Sequence, residues 1–313
     1  MDKSYKILIP MMLDIHFDFI AGVLQKEGYD IEVLQNESQE VIEEGLKNVH
    51  NDMCYPALLV IGQFIHALKS GRYNVNRIAL LLTQTGGGCR ASNYICLLRK
   101  ALDRNKFTQV KVLSLNFAGL DKENEFSLSF RAGFRLFQSI LYGDLLMLLY
   151  NQSVAFEKNM GESKKILARW KKKLIEEIGK KTFSQLKENY RNILEDFASI
   201  PKNKENRKIK VGIVGEIYMK YSPLGNNHLT EYLEQEKAEV VNTGILDFLL
   251  FNLYDTIFDK EIYGKGGFRY MLAKMLAAYV QRKQGEMIAC IKKMGIFVHL
   301  PLFQKCWKWP KAI

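Results

Sequence analysis

The sequence has 313 residues, of which 48% are hydrophobic, and a formal net charge of +11. This length allows about two domains with sizeable cores, whereas no apolar run reaches the roughly 18 residues of a membrane span. The opening MDKSYKILIP reads as a first strand and not a signal peptide, and five cysteines without paired spacing argue against a disulfide framework, so we predict a cytoplasmic protein.

Strand and helix patterns alternate through residues 1–129, which we predict as a first α/β domain. The predicted strands are residues 5–11, 31–34, 77–82 and 110–115. The predicted helices are residues 14–26, 38–49, 57–68 and 91–102. Strands that alternate with helices predict a doubly wound parallel sheet, whose ligand loops lie at the carboxyl ends of the strands.

Two turns in this domain each contain one cysteine. Cys54 lies in NDMCYP and Cys89 in TQTGGGCRASNY, and each turn precedes a helical pattern. Glycines let backbone N–H groups approach a ligand, and N–H groups near a helix start favour an anion. A thiolate among such donors suits an iron–sulfur cluster. We therefore predict Cys54 and Cys89 as metal ligands. The predicted cofactor contacts are Gly86, Gly87, Gly88, Arg90 and Ser92.

The rest of the chain divides into a helical connector and a second domain. Residues 130–207 show helical patterns at 131–152, 163–178 and 183–197, followed by a polar linker. Residues 208–313 begin a second doubly wound α/β domain, but only two strands are convincing, at 209–214 and 238–241. We therefore predict that this second domain is incomplete.

Positive charge concentrates between residues 151 and 210, which contain 16 Lys and Arg residues against 8 Asp and Glu residues. Such an excess is compatible with nucleic-acid binding. The aromatic residues of this region fall mostly on the apolar helix stripe and are not interleaved with the charges as stacking platforms are. We therefore favour a solvated helical face over a nucleic-acid surface.

Several other residues have simple structural explanations. Cys96 lies on the apolar side of its helix, and Cys290 lies in MIACIKKM, so we predict both as core residues. Glu216 follows a strand and is a candidate for a ligand cleft. Asn226 is predicted to cap a helix, as Ser92 also can.

Three stretches resemble the 2-hydroxyacyl-CoA dehydratase superfamily: NDMCYPALLVIGQ, LLTQTGGGCRASNYICLLRKAL and VGIVGEIYMKYSPLGNNHLTEYL. The nearest branch is the dehydratase-like part of large CoA-substrate-specific enzyme activase proteins, and the double-cubane cluster proteins are similar too. The resemblance implies that Cys54 and Cys89 ligate a low-potential iron–sulfur cluster, either 4Fe-4S or double-cubane. The family's third cysteine, in a Phe-Gly-Cys type motif, has no counterpart here, and Cys306 lies in a different context, KCWKW.

The resemblance also implies an activity and partners. An ATP-dependent activator protein would deliver one electron, an acyl-CoA would lose its 2-hydroxyl group, and the protein would act as a lyase or as its redox partner. A homodimer and a heterodimer both remain open. The absent third cysteine supports an alternative hypothesis, namely an inactive truncated remnant or a non-catalytic docking subunit.

Overall fold

The computed structural model describes residues 3–84, 89–116, 128–203, 208–264 and 266–298. The chain forms two compact units. The first contains Met1–Leu136 and Gly215–Thr230, and the second contains Phe137–Val214 and Glu231–Ile313. The domain boundaries at residues 129 and 207 stay a prediction, because compactness alone does not identify independently folding domains. The α/β class is confirmed.

A four-stranded parallel sheet forms the centre of the first unit. Its strands in chain order are β1 (Lys6–Ile9), β2 (Asp30–Val33), β3 (Ile78–Gln84) and β4 (Lys111–Asn116). Their spatial order is β2-β1-β3-β4. Ile7 pairs with Ile31 on one side and with Ala79 on the other, and Leu81 pairs with Leu113. The chain thus adds β2 to one side of β1 and β3 to the other.

Helices cover this sheet on both faces, as the alternation of side chains along its strands requires. The first-unit helices are α1 (Asp14–Lys26), α2 (Gln39–Asn48), α3 (Tyr55–Lys69) and α4 (Tyr94–Arg104). Leu8 and Leu80 pack with residues of α2, α3 and α4, whereas Ile7 and Leu81 pack with residues of α1. The sheet is therefore doubly wound, as predicted.

Two glycines allow α2 and α3 to pack in direct backbone contact. A Cβ atom on Gly62 would lie 2.1 Å from the carbonyl oxygen of Val41 and 2.8 Å from the amide nitrogen of Gly45. A Cβ atom on Gly45 would lie 2.3 Å from the carbonyl oxygen of Leu58. Any side chain at either position would force the two helices apart.

The segment between Gly215 and Thr230 joins the first unit although it lies far along the chain. It contains two short helices, α8 (Ile217–Tyr221) and α9 (Pro223–Asn226). Tyr218 and Leu224 are buried in the same core cluster as α3. Ser222 caps α9 by accepting a hydrogen bond from the amide of Gly225.

Helices dominate the second unit. They are α5 (Phe130–Val154), whose first residues belong to the first unit, α6 (Glu162–Glu177), α7 (Leu186–Ala198), α10 (Leu229–Gln235), which likewise begins in the first unit, α11 (Ile245–Tyr263) and α12 (Gly267–Met294). Among the described residues, its two strands β5 (Lys210–Gly212) and β6 (Glu239–Val241) pair in parallel. On α6, Trp170 and Leu174 are buried while Lys164, Lys165 and Arg169 are exposed, which is the predicted amphipathic pattern.

Helix α5 is long and apolar enough to cross a membrane by length and composition alone, with a mean hydropathy of 1.2. However, 61% of the 18-residue stretch of α5 that has this hydropathy is buried within the molecule. Its buried Asp144 accepts hydrogen bonds from the amides of Ile245 and Leu246, at 2.8 and 2.9 Å. Asp144 thereby caps the start of α11. This contact and the burial are those of a helix packed in a protein core.

Candidate metal centre

The sheet order places a ligand-binding point between β1 and β3. The chain leaves β1 toward one side of the sheet and later returns to the other side, so the connections at the carboxyl ends of these strands diverge. Open α/β sheets bind ligands in the crevice outside this divergence. Strand β3 ends at Gln84, and it is the strand that precedes Cys89 in the chain.

Cys89 begins the segment that leads from β3 into α4. It precedes a short 3₁₀ helix, Arg90–Asn93, and its sulfur accepts a hydrogen bond from the amide of Ala91 at 3.4 Å. The thiol is exposed. This bond caps the short helix and leaves the sulfur accessible.

Cys54 begins α3. It is the N-cap residue of that helix, with Pro56 in the first turn, and it makes no side-chain capping hydrogen bond. The thiol is half-buried. Its sulfur lies 2.9 Å from the hydroxyl oxygen of Tyr94, in a hydrogen bond to which either group can donate.

Tyr94 connects the two cysteine loops, because it begins α4 five residues after Cys89 and contacts Cys54. Burial is the largest cause that raises the pKa of its phenol, followed by the hydrogen bond to Cys54 and the charges of Cys54, Glu216 and Cys89. Cys54 therefore contacts this hydroxyl directly, whereas Cys89 affects its pKa through charge alone. No sequence pattern had marked Tyr94, since a tyrosine at a helix start carries no motif of its own.

Glu216 is the one carboxylate among the causes that raise the pKa of Tyr94, where it ranks after Cys54 and before Cys89. Its carboxylate accepts hydrogen bonds from the amides of Tyr218 and Met219, at 2.9 and 3.1 Å, and so caps α8. The sequence had marked Glu216 as a cleft residue. Its capping bonds account for its position, and its charge also contributes to the raised pKa of Tyr94.

The other residues marked from the sequence divide into three groups. Arg90 is exposed and Ser92 is half-buried, and both lie in the 3₁₀ turn after Cys89. Asn226 accepts a hydrogen bond from the amide of Leu229 at 3.1 Å, as a cap does. The residues that lie outside the described part of the chain are Gly86, Gly87, Gly88 and Cys306.

The core prediction for Cys96 is wrong, because its thiol is exposed on α4. The buried face of this helix consists of Ile95, Leu98, Ala101 and Leu102, and one residue beyond Ile95 the helix has already turned by about 100°. Cys290 is half-buried, and burial raises the pKa of its thiol.

The donor set does not by itself hold a four-iron cluster. Such clusters take about four ligands, whereas the pair Cys54 and Cys89 supplies two thiols. In the described ranges no group of three or more His, Cys, Asp and Glu residues could hold a metal ion. Soft thiolates do select zinc, copper(I) and iron–sulfur centres over harder metals. Two thiolates are thus the right type of ligand for an iron–sulfur cluster, but a four-iron cluster needs about two more.

The fold defines an α/β protein whose parallel four-stranded sheet is accompanied by two cysteine-bearing segments at the starts of helices. A family model described as "CoA enzyme activase uncharacterised domain (DUF2229)" matches residues 6–246. The match covers well over half of the sequence, and the chain belongs to this family. It includes both cysteine loops and ends at the second residue of α11. No curated protein matches the chain, and no solved structure matches it.

Proposed function

We propose that the chain is an iron–sulfur protein of the 2-hydroxyacyl-CoA dehydratase and CoA enzyme activase type. It transfers low-potential electrons to an acyl-CoA or a related small substrate, as a dehydratase-like lyase or as its redox partner. The observation that carries this proposal is the 2.9 Å hydrogen bond between Cys54 and Tyr94, which ties the Cys54 loop to the helix that follows Cys89. Membership of the CoA enzyme activase family supports the link to CoA chemistry.

Partners and location follow from the same proposal. An ATP-dependent activator protein supplies the electron, and the cytoplasm keeps the thiols reduced. The four cysteines among the described residues are free thiols, which agrees with a reducing compartment. Arg90 and the amides of the following turn would then face the anionic group, with Gly86, Gly87 and Gly88 giving the backbone access.

Anaerobic reconstitution tests the proposal. The purified chain is incubated with ferrous iron and sulfide, desalted, and assayed for iron, acid-labile sulfide and visible absorption. We expect a brown, oxygen-sensitive protein with about four irons or fewer per chain. Cys54→Ser and Cys89→Ser should lose the chromophore, whereas Cys96→Ser, which changes an exposed thiol outside the pair, should keep it. Absence of iron and sulfide after reconstitution would reject the proposal.

A specific surface favours a second candidate function, a non-catalytic docking subunit. Helices α11 and α12 expose large apolar side chains: Tyr263 is 68% exposed, Phe268 72% and Met275 64%. Exposed large apolar side chains mark an interaction surface where they form a patch. If the chain docks through this surface, the double variant Phe268→Lys/Met275→Lys should no longer co-sediment with the activator protein. Its iron content should stay unchanged. Unchanged co-sedimentation would exclude docking through this surface.

A further inference from the structure

Helix α12 has two apolar sides, and only one of them is buried. The buried side contains Ala273, Ala277 and Val280. The exposed side, which we call the α12 stripe, repeats at the spacing of helix packing, i, i+3, i+4, i+7 and i+8. Its members are Phe268, Met271, Leu272, Met275 and Leu276, which are 43–72% exposed. A helix that is apolar on all sides is normally buried, so the α12 stripe is the kind of surface that a partner covers.

Helix α11 carries a similar exposed side, which we call the α11 stripe. Phe248, Phe251 and Ile262 are 36–60% exposed, and their spacing places them on one side of the helix. Asp255 lies in this stripe, seven residues from both Phe248 and Ile262, and is exposed. Continued by seven residues, the α12 stripe reaches Arg282, which is exposed too. At this interval the α11 stripe therefore contains a negative charge and the α12 stripe a positive one.

We propose that the two stripes form a contact between two copies of the chain, with α12 of each copy packed against α11 of the other. Charge selects this pairing, because it places Arg282 of one copy and Asp255 of the other on facing stripes. Pairing α12 with α12, or α11 with α11, would leave these charges without an opposite charge on the facing stripe. Each copy offers one stripe of each kind, so a two-fold axis makes both contacts at once and forms a four-helix arrangement.

Contacts within one chain already hold α11 and α12 together, so both stripes are formed before a partner binds. Gln284 donates a hydrogen bond to the carboxylate of Asp247 at 2.9 Å, and Gln281 donates one to the hydroxyl of Tyr254. Gly264 ends α11 with a φ of 69°, a left-handed conformation that glycine adopts without strain. Surfaces that are ordered in advance lose less conformational entropy when they bind.

The apolar area of the stripes is large enough for a specific dimer. Their eight large apolar side chains are on average about half exposed. At about 200 Å² for a fully exposed large side chain, they present on the order of 800 Å² per copy, and a standard protein interface buries about 800 Å² per partner. Both stripes lie beyond the family match, which ends at residue 246. The contact is therefore independent of the cysteine loops, and it gives the docking surface on α11 and α12 a second copy as its partner.

Sedimentation velocity of the full chain, reduced and with chelator, tests self-association between about 1 µM and about 100 µM, a range that resolves dissociation constants of this order. We expect the mass to double as the concentration rises. The double variant Phe268→Lys/Met275→Lys should stay monomeric at every concentration. Both side chains are exposed in the single chain, so its circular dichroism should match that of the wild type.

A charge exchange tests the pairing of α11 with α12. Asp255→Arg and Arg282→Asp should each raise the dissociation constant of the dimer by about tenfold or more, because each change brings like charges together. The double variant Asp255→Arg/Arg282→Asp restores opposite charges and should recover most of the wild-type affinity. The control Lys292→Asp changes an exposed cation of α12 outside the stripe and should dimerise as the wild type does.

A wild-type chain that remains monomeric with native circular dichroism would overturn the contact. A dimer that tolerates Phe268→Lys/Met275→Lys, or single charge changes that the double exchange does not rescue, would overturn it as well. A monomeric chain that binds the activator protein through Phe268 and Met275 would overturn self-association and retain the docking function. A stripe-dependent dimer that takes up no iron and sulfide on reconstitution would support the contact and reject the iron–sulfur function.

Discussion

Replacing Gly62 by alanine tests whether direct contact between α2 and α3 supports the first unit. The new Cβ atom would lie 2.1 Å from the carbonyl oxygen of Val41 and 2.8 Å from the amide nitrogen of Gly45, while ordinary contacts begin at 3.4 Å. Both neighbours are backbone atoms, so no side chain can rotate away. The two helices must therefore separate by about 1 Å, and overpacking of this kind costs about 1–3 kcal/mol.

An opposing effect reduces this cost. Glycine in a helix interior is less favourable than alanine by about 0.5–1 kcal/mol, so the change at Gly62 recovers that amount. Taking the middle of each range, about 2 and about 0.75 kcal/mol, we expect the free energy of unfolding to fall by about 1 kcal/mol. For a unit of this size, the melting temperature would then fall by about 2–4 °C.

The assay is thermal unfolding followed by circular dichroism, with Gly133→Ala as the matched control. Gly133 also lies in a helix, α5, but a Cβ atom there meets nothing within 4 Å. The control should melt at the wild-type temperature or a few degrees above it, since only the helix preference changes. If Gly62→Ala melts at or above the wild-type temperature, the helices are not in the tight contact that the argument requires.

Three further predictions concern single polar groups. Tyr94→Phe removes the hydroxyl bonded to Cys54 and should lower the free energy of unfolding by about 0.5–1.5 kcal/mol in urea titrations; an unchanged midpoint would show that the bond contributes nothing. Asp144→Ala leaves the amides of Ile245 and Leu246 without this acceptor and should cost about 1–3 kcal/mol, with Asp144→Asn as a milder control; equal stability of both variants and the wild type would exclude the cap. Burial raises the pKa of Glu234, so the native state holds this proton more tightly than the unfolded state. Its contribution to stability is fully present at acidic pH and is lost as the pH rises through the native pKa; Glu234→Gln should flatten this slope in unfolding titrations, and an identical slope would reject the shift.

The parallel sheet was predictable because its strands are short apolar runs separated by strong helix signals. Residues 77–82 were predicted as a strand and Ile78–Gln84 form one, since a strand buried on both faces reads as an uninterrupted apolar run. The positions of Cys54 and Cys89 in turns before helices were predictable for the same reason. The hydrogen bond between Cys54 and Tyr94 was not predictable, because no local pattern reports which distant residues meet in space.

The error at Cys96 shows the limit of periodicity. The stretch from Tyr94 to Leu98 is apolar at every position, YICLL, so its pattern carries no contrast between the two faces of the helix. Packing decides the matter: Ile95 and Leu98 are buried in the core, while Cys96 is exposed. The assignment of residues 215–230 to the first unit escaped prediction in a similar way, since contacts between distant segments leave no periodic signal.

The late return of residues 215–230 to the first unit bears on how the protein is made. Tyr218 and Leu224 complete a core whose other members lie between Leu8 and Val110, and residues 137–214 must be synthesised in between. At roughly 5–20 residues per second, this interval lasts about 4–16 s. During that time the emerging first unit lacks part of its apolar cover beside α3. The nascent first unit therefore exposes an apolar surface that is open to misfolding or aggregation until residues 215–230 have been synthesised.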